Sequence, residues 1–98
     1  MIDKLEFGKI DTETREFITT RRPEHFFKKG GGFCISSSQI QEILKKGVEK
    51  IRFVYFGVRG IKEYVISVDK LNYLKAHFLN GADDPQIIFP LKEMVELK

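Results

Sequence analysis

Cysteine, proline and long apolar runs are scarce in this sequence, and each shortage excludes a class of protein. The single cysteine, Cys34, excludes an intramolecular disulfide, so we expect a reducing, cytoplasmic location. The longest apolar run is Phe53 to Phe56, far shorter than the roughly 20 residues that a membrane-spanning helix needs. We also expect no secretion signal, because the N-terminus lacks a basic segment followed by an apolar one. With 42% hydrophobic residues, the composition is that of a folded domain.

Metal-binding and nucleotide-binding motifs are also missing. No Cys-x-x-Cys or His-x-x-x-His spacing occurs, so we predict neither a metal site nor a cofactor. The consecutive glycines Gly30, Gly31 and Gly32 are not followed by the Gly-Lys-Ser/Thr of a phosphate-binding loop. They do not form a dinucleotide-binding Gly-x-Gly-x-x-Gly either, and no motif in the chain identifies a family.

Basic side chains are concentrated in the middle of the chain. The net charge is +3, but residues 21–62 alone carry ten basic and three acidic side chains, a net charge of +7. Residues 1–20 and residues 63–98 each carry a net charge of −2. This distribution favours an anionic partner.

The first third of the chain predicts a β-hairpin, a loop and a short strand. Residues 4–10 and 15–20 have strand-like composition, and the polar sequence that starts at Asp11 is a good turn between them. Pro23 ends the hairpin, because proline donates no hydrogen bond to a sheet. Residues 33–35 are apolar and predict the next strand.

A helix is predicted over residues 39–46. Ser38 is the expected N-cap, and Gln41 lies at the capping-box position three residues later. Gly47 can take the left-handed conformation that ends a helix. The apolar stripe consists of Ile40, Ile43 and Leu44.

The second half of the chain continues with strands and helices. Residues 50–56 are apolar on both faces apart from Arg52, which is typical of a central strand. The remaining predicted elements are a hairpin through residues 57–60, a strand at 61–68, a helix at 69–80, an edge strand at 86–91 with Pro90, and a short terminal helix bearing Leu91, Met94 and Val95.

The predicted order of elements is therefore β-β-β-α-β-β-α-β. We predict one α+β domain over residues 1–98, with a mainly antiparallel sheet of five or six strands and two helices on one face. Phe7, Phe17, Phe53 and Tyr55 are the candidates for an aromatic surface on the other face. Because an uncovered apolar face rarely stays in water, we expect a homodimer through this surface.

The segment of residues 21–33, the basic loop, is the candidate functional site. It combines four basic side chains with a histidine, three phenylalanines and three glycines. Lysine and arginine neutralise phosphates, glycines let phosphates approach the backbone, and exposed phenylalanines stack on bases. The predicted nucleic-acid-binding residues are Arg21, Arg22, His25, Lys28, Lys29, Gly30, Gly31, Gly32, Lys45, Lys46, Arg52 and Arg59.

We therefore predict a protein that binds nucleic acid or another polyanion, and we favour a binding protein over an enzyme. One alternative is that the basic loop is a surface connection whose phenylalanines fill the core. A second is a metal-dependent nuclease that uses Glu63, Asp83 and Asp84, although the two aspartates also fit an ordinary turn. A third is a protein–protein adaptor or structural subunit that uses the aromatic face. Cys34 is expected to be a small buried hydrophobe, since nothing in its spacing selects His25 as a catalytic partner.

Overall fold

Alternation of apolar and polar side chains makes most of this chain β-structure. The computed structural model describes residues 2–25, 31–69 and 86–97, and these ranges contain nine strands and one α-helix. In chain order they are β1 (Ile2–Leu5), β2 (Gly8–Asp11), β3 (Glu16–Thr20), β4 (Glu24–His25), β5 (Gly31–Ser36), α1 (Ser37–Lys45), β6 (Lys50–Gly57), β7 (Gly60–Ser67), β8 (Gln86–Pro90) and β9 (Val95–Leu97). Among the described residues, no helix is long and apolar enough to cross a membrane.

Six strands form a mixed sheet in the order β1-β2-β3-β6-β7-β9. Four of its pairings are antiparallel, but β3 and β6 run parallel, with Phe17 opposite Ile51 and Thr19 opposite Phe53. A parallel pair needs a crossover connection, and the segment containing β4, β5 and α1 supplies it. The α+β class is confirmed, whereas the prediction of a mainly antiparallel sheet misses this parallel pairing.

A second, three-stranded antiparallel sheet has the order β4-β5-β8. Gly31 and Gly32 belong to β5, where they pair with His25 and Glu24 of β4. The prediction that these two glycines lie in an open loop is therefore wrong, because β5 begins before its first apolar residue. Pro90 lies in an edge strand, as predicted, where the lack of an N–H is tolerated.

Side chains from both sheets and from α1 form one core. Phe33 of β5 stacks on Phe53 of β6, with ring centroids 4.4 Å apart and planes within 5° of parallel. This contact joins the two sheets, and both rings are fully buried. The buried hydrophobic residues are Ile10, Phe17, Phe33, Ile35, Ile40, Ile43, Val48, Ile51, Phe53, Ile66, Ile88 and Phe89.

The aromatic side chains that predicted an uncovered sheet face point into this core. Phe17 and Phe53 have no exposed surface, and Phe7 and Tyr55 pack against the buried cluster. Residues of α1 and β5 belong to the same cluster and cover that face. The prediction of a dimer interface built from these four aromatics is therefore wrong.

Helix α1 begins two residues earlier than predicted. Ser36 is the N-cap: its backbone is extended, and its hydroxyl accepts a 3.4 Å hydrogen bond from the amide of Gln39. Ser38 consequently lies within the first turn. The predicted apolar stripe is buried at Ile40 and Ile43, as expected, but 43% of the surface of Leu44 is exposed. Gly47 follows the helix with a φ of +79°, the left-handed conformation that was predicted.

Three further predictions concern the ends of the chain. Residues 4–10 are not one strand, because a turn at Glu6 and Phe7 divides them into β1 and β2. The predicted terminal helix is also wrong, since Leu91–Glu93 forms one 3-10 turn and β9 then pairs with β7. The predicted helix at residues 69–80 lies almost entirely outside the described residues, so the second helix stays a prediction.

Candidate polyanion-binding site

Three of the predicted arginines lie at one end of the six-stranded sheet. Thr20 is opposite Val54 in the parallel pair, and the amide of the next residue, Arg21, donates a 3.0 Å hydrogen bond to the carbonyl of Val54. Arg22 follows in the chain. Strand β6 continues past Val54 to the β6–β7 turn that carries Arg59, which places this turn roughly 13 Å further along the strand. All three arginines therefore occupy the same end.

A lysine that the prediction omitted belongs to the same end. Lys62 of β7 is opposite Tyr55 of β6, the residue after Val54, and its side chain is exposed. The signal was present in the sequence, because a hairpin centred on residues 57–60 places positions 55 and 62 side by side. We call the surface formed by Arg21, Arg22, Arg59 and Lys62 the arginine end.

The guanidinium of Arg21 is held by neutral acceptors. Its Nε donates to the hydroxyl of Thr19 at 3.4 Å, and its Nη2 donates to Oε1 of Gln39 at 3.3 Å. The hydroxyl of Thr19 in turn donates to the carbonyl of Phe7 at 2.7 Å. These contacts restrict the side chain without neutralising it, and further guanidinium N–H groups stay available to a ligand.

The other cations of the arginine end are exposed. Arg22, Arg59 and Lys62 form no ion pair with any residue in the described part of the chain. The nearest acidic residues in the chain are Glu24 and Glu63, and Glu63 is already paired with Arg52, while Glu6 lines the cleft beside Arg21. The local charge balance therefore stays positive.

An open cleft of about 370 Å³ lies against Arg21. Its walls are the β1–β2 turn and the end of β3: Glu6, Phe7, Gly8, Thr20 and Arg21. The carboxylate of Glu6 opposes an anion deep in the cleft. Phosphate groups are therefore better accommodated outside the cleft, by the exposed side chains of Arg22 and Arg59, which do not line it.

The predicted basic residues do not all lie on one surface. Lys45 and Lys46 are at the C-terminal end of α1, and Lys46 forms a 3.4 Å ion pair with Asp3. Because Gln39 in the first turn of α1 contacts Arg21, the end of α1 that carries Lys45 points away from the arginine end. These two lysines form a separate patch.

Arg52 is the predicted residue least available to phosphate. Its guanidinium lies 2.8 Å from the carboxylate of Glu16 and 3.4 Å from that of Glu63. Glu16 is buried, with 7% of its surface exposed. Two carboxylates therefore already surround this guanidinium.

Part of the basic loop lies outside the described residues, namely Lys28, Lys29 and Gly30 together with Phe26 and Phe27. For His25 only the backbone in β4 is described. Phe33 has no exposed surface and cannot stack on bases; it fills the core, as the alternative interpretation of the loop expects. Gly32 serves packing instead, since a Cβ atom there would lie 2.8 Å from the carbonyl oxygen of Phe89.

Cys34 is not an activated nucleophile. Burial raises the pKa of its thiol from 9.0 to about 11, and the carboxylate of Glu24 adds to this increase while the guanidinium of Arg21 opposes it. A thiol with this pKa is almost fully protonated at neutral pH, and the thiolate is the reactive form.

Among the described residues, no group of three or more His, Cys, Asp or Glu side chains could hold a metal ion. Glu63, one residue of the nuclease alternative, is paired with Arg52, and Asp83 and Asp84 lie outside the described residues. Comparison of the chain with protein-family models, curated proteins and solved structures gives no match. The roles of these residues therefore rest on their geometry and charge.

Proposed function

We propose that this protein binds nucleic acid, or another polyanion with closely spaced phosphates, through the arginine end. The observation that carries the proposal is that Arg21, Arg22, Arg59 and Lys62 lie at the same end of the sheet, with no carboxylate paired to any of them among the described residues. Cations that are not neutralised within the protein are free to replace the counterions of a phosphate backbone.

The four side chains have different roles in this proposal. Arg21 is already oriented by Thr19 and Gln39, so less rotamer freedom is lost when it contacts a phosphate. Arg22 and Arg59 are exposed and can each donate two parallel hydrogen bonds to one phosphate. Lys62 adds a point charge at the edge. Lys28 and Lys29 follow β4 in the chain and lie outside the described residues, so their contribution to binding stays a prediction.

This mode of binding depends on charge and reads little of the base sequence. Phosphate contacts position a protein on a nucleic acid but do not identify bases. The four side chains of the arginine end are all basic, and Phe56, which is 59% exposed on β6 before the turn, is a single ring that could stack on any base. We therefore propose binding of low sequence preference, and no described residue favours the nuclease alternative.

Titration with labelled nucleic acids tests the proposal. Single-stranded and double-stranded oligonucleotides are measured by fluorescence anisotropy at several salt concentrations between about 50 and 200 mM. We expect binding whose dissociation constant rises steeply with salt. Absence of binding to every nucleic acid, and to a polyanion such as heparin, at the lowest salt concentration would end the proposal.

The third alternative, an interaction or structural subunit, is favoured by a different observation. Phe56, Ile61 and Val95 are 59%, 64% and 61% exposed, and all belong to the six-stranded sheet. Clusters of exposed apolar side chains are typical of interfaces. We propose that the chain forms a homodimer, so that light scattering should give twice the 11.4 kDa mass of one chain.

A further inference from the structure

The six-stranded sheet has one face turned away from the core, which we call the outer face. Ile51 and Phe53 of β6 are buried in the core, so the alternate residues of this strand, Arg52, Val54 and Phe56, point to the outer face. Residues directly opposite one another in the sheet share a face. The other outer-face residues of the central and C-terminal strands are therefore Glu16, Ile18 and Thr20 on β3, Ile61, Glu63 and Val65 on β7, and Val95 and Leu97 on β9.

Apolar side chains dominate the half of the outer face formed by β6, β7 and β9. Phe56 is directly opposite Ile61, and Val65 is directly opposite Val95. Leu97 extends the cluster next to Glu63, and 36% of its surface is exposed. Ile61 and Val65 are four residues, or about 13 Å, apart on β7, and Glu63 lies between them. The apolar surface of this half therefore consists of two clusters on either side of the ion pair between Arg52 and Glu63.

The charges at the centre of the outer face are already paired. Arg52 lies between Glu16 and Glu63, at 2.8 Å and 3.4 Å from their carboxylates. Lys4 and Lys9 lie towards the opposite edge, on β1 and β2. Paired charges of this kind do not repel an identical face, whereas a strongly basic face would repel a second copy of itself.

The size of the outer face suits a stable interface. Six strands about 4.8 Å apart, each about five residues long, cover on the order of 500 Å² of sheet plane. Protruding side chains make the accessible area larger than the plane. The outer face is therefore comparable with the roughly 800 Å² per partner that specific protein–protein interfaces bury.

We infer that two copies of this chain pack outer face against outer face, with the apolar surface of β6, β7 and β9 buried in the contact around the paired charges. This inference rests on the proposed homodimer and names its interface. A second copy fits better than a nucleic acid, because the central charges are neutralised and the surface around them is apolar. A two-fold axis brings the same patch of each copy together, which requires a self-complementary surface. The arginine end lies at the end of the strands and is left accessible.

Paired charge substitutions test this interface. In the double variant Ile61→Glu/Val95→Glu, two exposed apolar side chains on the outer face become acidic. The matched control, Leu44→Glu/Val58→Glu, makes the same change at exposed residues of α1 and the β6–β7 turn. Sedimentation equilibrium measures the dimer constant of each, and circular dichroism checks that each is folded.

We expect a dimeric wild-type protein, a dimeric control and an outer-face variant whose dissociation constant is raised at least about a hundredfold. A wild-type protein that is monomeric at all concentrations would overturn both the homodimer and its interface. A dimeric wild type with an equally dimeric outer-face variant would overturn the interface alone, as would equal weakening in the control.

A second measurement needs no variant and covers the case in which the outer-face variant does not fold. On dilution of the wild-type protein, amide chemical shifts of β6, β7 and β9 should change together as the dimer dissociates. Changes confined to α1 or to the three-stranded sheet would place the interface elsewhere and overturn the inference.

Discussion

Gln39, in the first turn of α1, accepts a 3.3 Å hydrogen bond from the guanidinium of Arg21, which immediately follows β3. The side-chain oxygen of glutamine orients the guanidinium and leaves its charge intact. A carboxylate at the same place would do the opposite, because it would pair with the cation. The identity of this one acceptor therefore decides whether Arg21 is available to an anion.

Replacing this acceptor gives the first prediction. In Gln39→Glu, the new carboxylate should neutralise Arg21 and raise the dissociation constant for nucleic acid about tenfold, since a hydrogen bond to a charged group contributes about 1.5 kcal/mol. Gln41→Glu is the matched control, because it adds the same charge to the same helix at an exposed residue. Equal affinity of the two variants would contradict the assigned role of Arg21.

Two adjacent glycines give the second prediction. A Cβ atom on Gly32 would lie 2.8 Å from the carbonyl oxygen of Phe89, which belongs to a paired strand and cannot move easily. At Gly31 the nearest atom is the end of the Leu91 side chain, at 3.2 Å. Gly32→Ala should therefore lower the free energy of unfolding by about 1–3 kcal/mol, and Gly31→Ala by much less. Chemical denaturation measures both, and equal effects would contradict the packing role assigned to Gly32 in particular.

The thiol of Cys34 gives the third prediction. Its pKa of about 11 in the folded protein exceeds its ordinary value of 9.0, so the folded state holds this proton more tightly than the unfolded state does. This tighter proton binding stabilises the folded state against unfolding, and its contribution is complete below pH 9 and is lost as the pH rises towards 11. Between pH 7 and 9, alkylation by iodoacetamide should be about a hundredfold slower in the native than in the unfolded protein. Similar rates in the two states would contradict burial of this thiol.

The fourth prediction separates stability from binding at Phe33. Because this ring is fully buried against Phe53, Phe33→Leu should lower the free energy of unfolding by about 1 kcal/mol and leave nucleic-acid affinity unchanged. Thermal unfolding and anisotropy are measured on the same sample. If the variant lost affinity without losing stability, Phe33 would have to contact the nucleic acid, which would contradict its burial.

Local signals predicted many elements of the fold. Helix α1, the β6–β7 hairpin and the edge position of Pro90 each depend on a few neighbouring residues, and all three are confirmed. The exact start of α1 was missed because three consecutive serines can each act as an N-cap. Only the extended backbone of Ser36 distinguishes it from the other two.

Contacts between residues far apart in the chain could not be predicted from local signals. The parallel pairing of β3 with β6 joins residues more than thirty positions apart, and the sequence contains no local signal for it. The neutralisation of Arg52 by Glu16 follows from that pairing, because it places the two side chains on neighbouring strands. The basic block of the sequence therefore divides in the fold into an arginine end, a lysine patch on α1 and an ion-paired arginine on the outer face.

The salt dependence of nucleic-acid binding in two double variants tests the central claim most directly. Arg22→Ala/Arg59→Ala removes two cations from the arginine end, whereas Lys45→Ala/Lys46→Ala removes two from the far end of α1. Each phosphate contact contributes about 0.9 to the slope of log K against log salt on duplex DNA, so the arginine variant should lose about 1.8 of this slope. The lysine variant should keep the wild-type slope. An unchanged slope in the arginine variant, or an equal loss in the lysine variant, would contradict binding at the arginine end.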